Sequence, residues 1–176
     1  MAAAGQHSGR HTGTTGATTS PSAQPESPDV ATLERAVALQ ARPDQQAQFQ
    51  EAVESTATAC IQAHDLQQHG TDASSVDLFR KATQLHDGIE DAQSDNRKFV
   101  NSLSDVQASG LKKFTTALSK ANSAVTRESK VLAARLEKTQ VDAGRLLSTA
   151  GQLDKALTAF QSAQNHLAQE MGIPQH

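Results

Sequence analysis

The chain has 176 residues, a net charge of −3 and no Trp or Tyr. Leu, Ile, Val and Phe number 32, about 18% of the chain, and much of the remaining apolar content is Ala. A thick globular core and a membrane-spanning helix are thereby disfavoured: no run approaches 18 apolar residues. Thin apolar seams between long helices need fewer bulky side chains, so the composition favours an elongated all-α bundle.

Residues 1–27 form a Gly/Ser/Thr/Pro-rich stretch without Leu, Ile, Val or Phe. Such a stretch buries too little surface to offset its ordering entropy and is expected to be a disordered tail or linker. No apolar run of signal-peptide length lies within residues 1–15. Tails of this kind resemble the linkers that follow a removed leader in exported proteins, so an extracytoplasmic location is slightly favoured if a leader has been removed, and the cytoplasm otherwise.

The helical domain is expected over 28–171, followed by a tail at 172–176. Ser27-Pro28-Asp29 reads as a helix start, with Val30, Leu33 and Val37 at helical spacing. Pro43 ends or kinks that helix. Beyond it, Phe49, Ala52, Val53, Thr56, Ala59, Cys60, Ala63 and Leu66 make one stripe, and Gly70 is a candidate C′ stop. Ser74 and Asp77 fit a capping box with Asp in place of Glu or Gln. The next seam, Leu78, Ala82, Leu85, Ile89, Ala92, Asn96, Phe99 and Leu103, advances in steps of four and three. Its phase fails at Val106, so Ser104–Gly110 is the expected turn, with a stutter in a continuous helix as the alternative.

From Leu111 to Met171 a seven-residue period holds: Leu111, Leu118, Val125, Leu132, Thr139, Leu146, Leu153, Phe160 and Leu167. One helix of that length would run about 90 Å. The weakest segment is Ser148–Gln152, so the seam either continues as one helix or folds back there. Ala143-Gly144, Leu147, Gly151, Leu153, Asp154, Ala156, Phe160 and Ala163 resemble one tetratricopeptide helical hairpin, over about 30 residues. No second copy stands a repeat upstream around Ala117, and one repeat cannot bury its own face. The pattern is therefore read as generic helix-hairpin patterning. The architecture expected is an up-and-down bundle of three to four long helices.

Charge is sorted along the chain. Residues 26–95 carry 13 acids and 4 bases, and residues 97–138 carry 9 bases and 3 acids. The expected arrangement packs the basic helix beside the acidic ones, with Lys112, Lys113, Lys120, Arg127 and Lys130 facing countercharge. Contact of these five side chains with an anionic surface is the less favoured reading. Nucleic acid is not expected as a partner, because aromatics do not interleave the cations and the isoelectric point is 6.1.

Cys60 and His64 share a helix face and would need His86, with Glu90 one turn on, to complete a metal site. The reading preferred is a structural Cys60 in the seam, so no metal, cofactor or catalytic residue is assigned. Asp87, Asp91 and Asp95 line one helix edge as a solvated or pairing rim. No Glu-x-x-His, Gly-rich phosphate loop, G-x-S-x-G or Cys-x-x-Cys occurs. The expected function is a non-catalytic structural or protein-interaction module, working through a partner or self-association at an exposed helix face. The alternative is a ligand-sensing bundle that binds a small molecule between helices.

Overall fold

The computed structural model describes residues 41–103, 110–138, 140 and 142–174. The tail expected at 1–27 and the helix expected around Val30–Val37 lie outside those residues. So do Ser104–Ser109 of the expected turn and Thr139 of the last seam.

Four helices follow in order: α1 (Pro43–His69), α2 (Ser75–Ser102), α3 (Lys112–Leu136) and α4 (Ala143–Glu170). At 25–28 residues each is about 40 Å long. They form an up-and-down bundle without strands among the described residues. α1 packs most closely on α2, α3 on α4, and α4 closes back on α1. The α2–α3 edge is the loosest of the four, and α1 and α3 sit on a diagonal without touching.

The seams explain why these segments are buried where they are. Every member of the α2 seam from Leu78 to Leu103 is buried, Asn96 included. In α1, Phe49, Ala52, Thr56, Ala59, Ala63 and Leu66 are buried, with Val53 and Cys60 at the margin. Five of these α1 and α2 seam positions are alanine, which lets the two axes approach closely. Phe49 and Phe99 close the far end of this pair edge to face, with ring centroids 5.3 Å apart. In α3 and α4 the seven-residue row is buried at each described position from Leu111 to Leu167, and leucine dominates it.

Helix ends follow local chemistry. Pro43 is the first residue of α1, where its missing N–H costs nothing. Gln45 Oε1 accepts from the Arg42 N–H at 2.9 Å, and Gln45 Nε2 donates to the Ser102 carbonyl at 2.9 Å. This buried amide ties the start of α1 to the end of α2. Ser74 caps α2, accepting from the Asp77 N–H at 3.2 Å and donating to its carboxylate at 2.7 Å, as the capping pattern predicts.

Three expectations need correction. The fold-back of the last seam does not fall at Ser148–Gln152, which lies inside α4. One glycine in a helix interior costs about 1 kcal/mol, and burial of Leu146, Ala150, Leu153 and Leu157 on either side outweighs it. The chain turns between Leu136 and Asp142, where Asp142 Oδ1 caps α4 by accepting from the Arg145 N–H at 3.0 Å. Gly70 does not end α1 by adopting a left-handed conformation: its φ is −69°. A Cβ there would collide with Leu147 of α4 and the Leu66 carbonyl, so the glycine serves close approach of α1 and α4. Residues 172–174, assigned to a tail, extend the bundle instead. Gly172 takes φ +67°, its N–H donates to Gln169 O at 3.0 Å, and the Ile173 N–H donates to Ala168 O at 2.9 Å. That is a Schellman closure, and it buries Ile173 against the core.

Candidate functional site

Cys60 and His64 project from adjacent turns of α1, Cys60 half-buried and His64 exposed. Burial pushes the Cys60 thiol up to about 11, and the charge of Asp154 adds to the shift. A thiol held protonated at neutral pH is a poor nucleophile and a poor metal ligand. The bundle does not assemble the four-residue set of Cys60, His64, His86 and Glu90. Instead His86, Asp87 and Glu90 of α2 bring their ligand atoms within 4.8 Å of one another. All three come from one helix, and the two acids are solvent-exposed.

The acidic edge does form. Asp95 accepts from Ser55 of α1 and from Lys98 at 2.7 Å, and both bonds hold its carboxyl below the ordinary range, the Lys98 bond most. Lys98 in turn is held above the ordinary lysine range by Asp95 first, with Glu51 and Asp91 adding to it. About three to four turns away, Lys81 bonds Asp65 across the α1–α2 seam and lowers its pKa. Glu51 and Glu54 of α1 and Asp87, Glu90 and Asp91 of α2 stay exposed, so this side of the bundle is negative.

The expected pairing of α3 with those acids is not found. Lys112, Lys113, Lys120, Arg127 and Lys130 are all exposed, and no ion pair among the described residues joins α3 to α1 or α2. Arg127 pairs only with its neighbour Glu128, at 3.0 Å. The reason lies in the arrangement of helices. α3 is diagonal to α1 and meets α2 only along its loosest edge. There the cross-links are neutral: Gln93 Nε2 donates to Asn122 Oδ1 at 3.1 Å and to Thr126 Oγ1 at 2.7 Å. Lys113, Lys120 and Arg127, spaced by sevens, consequently make an outward row along α3.

Polar groups do reach the interior. Gln164 of α4 is fully buried, and its Nε2 donates to Asn96 Oδ1 at 3.3 Å and Ala52 O at 3.4 Å. Its Oε1 has no partner among the described residues. Beside Asn96, the α2–α3 edge opens into a groove of about 150 Å³, lined by Gln93, Val100, Leu118 and Asn122 among others. Pockets for drug-sized ligands span roughly 300–1,000 Å³. This groove between helices is therefore too small for the ligand-sensing alternative in its simplest form. A larger groove of about 350 Å³ between α1 and α4 is lined by Phe49, Val53 and Ile173 and by the polar side chains of Gln46, Gln50, Glu54, Gln161 and Asn165. Another pocket, about 520 Å³, lies at the α3–α4 turn and gathers Arg135, Lys138 and Arg145. The sequence counted two of these cations in its basic stretch but could not place them around one pocket with Arg145.

Exposed large apolar side chains are Ile61, Val76, Phe79 and Val131. They are spread over three helices, so no single helix carries an outward apolar stripe. No helix of the described residues is long and apolar enough to cross a membrane. Set against protein-family models, curated proteins and solved structures, the chain matches none of them.

Proposed function

We propose that the bundle is a non-catalytic structural module that works by protein–protein interaction, with the outer face of α3 as its docking surface. The occupant best matched on charge is the acidic α1–α2 edge of a second copy. The supporting observation is the row of Lys113, Lys120 and Arg127, flanked by Lys112 and Lys130, which the fold leaves without countercharge from α1 or α2. Glu51, Glu54, Asp87, Glu90 and Asp91 offer a complementary edge on another side of the same bundle. A contact between two different faces is heterologous, so it propagates rather than closing by simple two-fold symmetry. Each exposed pair contributes only about 0–1 kcal/mol, and the association weakens as salt rises.

Sedimentation velocity of the full chain at low and high ionic strength tests this. Concentration-dependent association at low salt, lost at high salt and lost in Lys120→Glu/Arg127→Glu, is the expected result. A monomer at every concentration and salt, or association that survives the double substitution, would overturn the reading. So would salt-sensitive binding of acidic vesicles by a chain that stays monomeric, which would reassign the row to a lipid surface.

A further inference from the structure

The α3–α4 turn carries a separate cluster, independent of the outward row. Arg135, Lys138 and Arg145 line a pocket of about 520 Å³ completed by Gln140, Asp142 and Leu146. Only one of the three cations is neutralised. Asp142 Oδ2 pairs with Arg145 Nε at 3.2 Å, while its Oδ1 is occupied in capping α4. Arg135 and Lys138 form no ion pair among the described residues.

Arg135 is the telling member. Its side chain is half-buried, and its Nε is shielded from solvent with no hydrogen-bond acceptor. A half-buried guanidinium without countercharge is costly, and an anion held in the pocket that Arg135 lines supplies that charge. The pocket adds one further feature of an anion site. Leu146 is buried at the pocket wall, which lowers the local dielectric and strengthens the attraction of the cations for a bound charge.

We infer that this pocket binds a tetrahedral oxyanion of the phosphate type, either the free ion or the end group of a phosphomonoester. Arg135 and Lys138 supply the charge and the guanidinium donors, and Gln140 supplies an amide. The volume exceeds that of one phosphate ion, so room remains for the organic part of an ester.

The test is a ¹⁵N-resolved titration of the full chain with sodium phosphate, against sodium chloride at matched ionic strength. Saturable shifts at the Gly144, Arg145 and Leu146 amides and at Arg135 Nε are expected with phosphate only. Arg135→Gln should weaken binding about tenfold, the loss of one charge-assisted hydrogen bond. Lys138→Ala, at an exposed position that the fold does not use, should also weaken it while leaving the remaining spectrum unchanged. A parallel titration with phenyl phosphate distinguishes the sources: tighter binding of the ester assigns the pocket to phosphomonoesters, and tighter binding of the ion assigns it to free phosphate. No saturable response to either ligand across the millimolar range, or responses identical in both variants, would overturn the site.

Discussion

The α1–α2 and α3–α4 hairpins use helices of nearly equal length and hold together by different means. α1 and α2 meet through alanines and lock across the seam with polar side chains: Lys81 to Asp65, Ser55 to Asp95, and Gln45 to the Ser102 carbonyl. α3 and α4 meet through leucines, with no ion pair between the two helices among the described residues. One hairpin spends several of its charges on itself. The other turns its charges outward. Sorting of charge along a chain therefore does not establish that the sorted segments pair; the position of each helix around the bundle decides that.

The largest expected difference between the two hairpins lies in their aromatic side chains. Phe99 is fully buried against Phe49, so Phe99→Ala should cost about 3–5 kcal/mol in urea unfolding. Phe114 of α3 is only half-buried, and Phe114→Ala should cost less than half as much. Equal losses would show that burial does not set the difference between these two positions. Next in size is the junction of the pairs. Gly70→Ala forces α1 away from Leu147 and should cost about 1–3 kcal/mol, read as a fall in the denaturant midpoint. No change there would show that close approach at Gly70 is dispensable.

A smaller effect is expected from acid. Asp65 and Asp95 have folded-state pKa values below the ordinary 3.8, each through its lysine partner first. A depressed carboxylate pKa stabilises the fold above the unfolded value, and that contribution is lost as pH falls through the folded one. Stability should therefore decline below about pH 4, and Asp65→Asn should flatten the decline. These groups are largely solvated, so the effect is modest. An unaltered acid limb in Asp65→Asn would show that the Lys81 bond does not contribute.

Much of this arrangement is written locally. The steps of four and three from Leu78 to Leu103 name the buried face of α2 without error, because burial of a helix stripe depends on spacing within the helix itself. The seven-residue row likewise names the inner faces of α3 and α4. The features that escaped the sequence are relational. Gly151 looked like a break, yet it sits in α4 beside the Gln67 amide of α1, a neighbour that spacing cannot supply. The real turn was signalled by Asp142, a good N-cap residue three positions before Arg145, which is a weaker cue than a glycine. Gln164 lies on the buried face of α4, but its bond to Asn96 joins residues 68 apart in sequence. The pocket at the α3–α4 turn needed Arg135 and Arg145 to be brought together by that same turn.

The central claim is that the cations of α3 face outward and serve docking rather than folding. The thermal melting of Lys120→Glu/Lys130→Glu at low ionic strength, at a protein concentration where both chains are monomeric, tests it most directly. Both side chains are exposed and have no ion-pair partner among the described residues, so the account predicts a melting temperature unchanged or raised, since repulsion along α3 is relieved. A melting temperature clearly lowered at low ionic strength, with the gap closing as salt is added, would show that these lysines hold the acidic helices and would contradict the account.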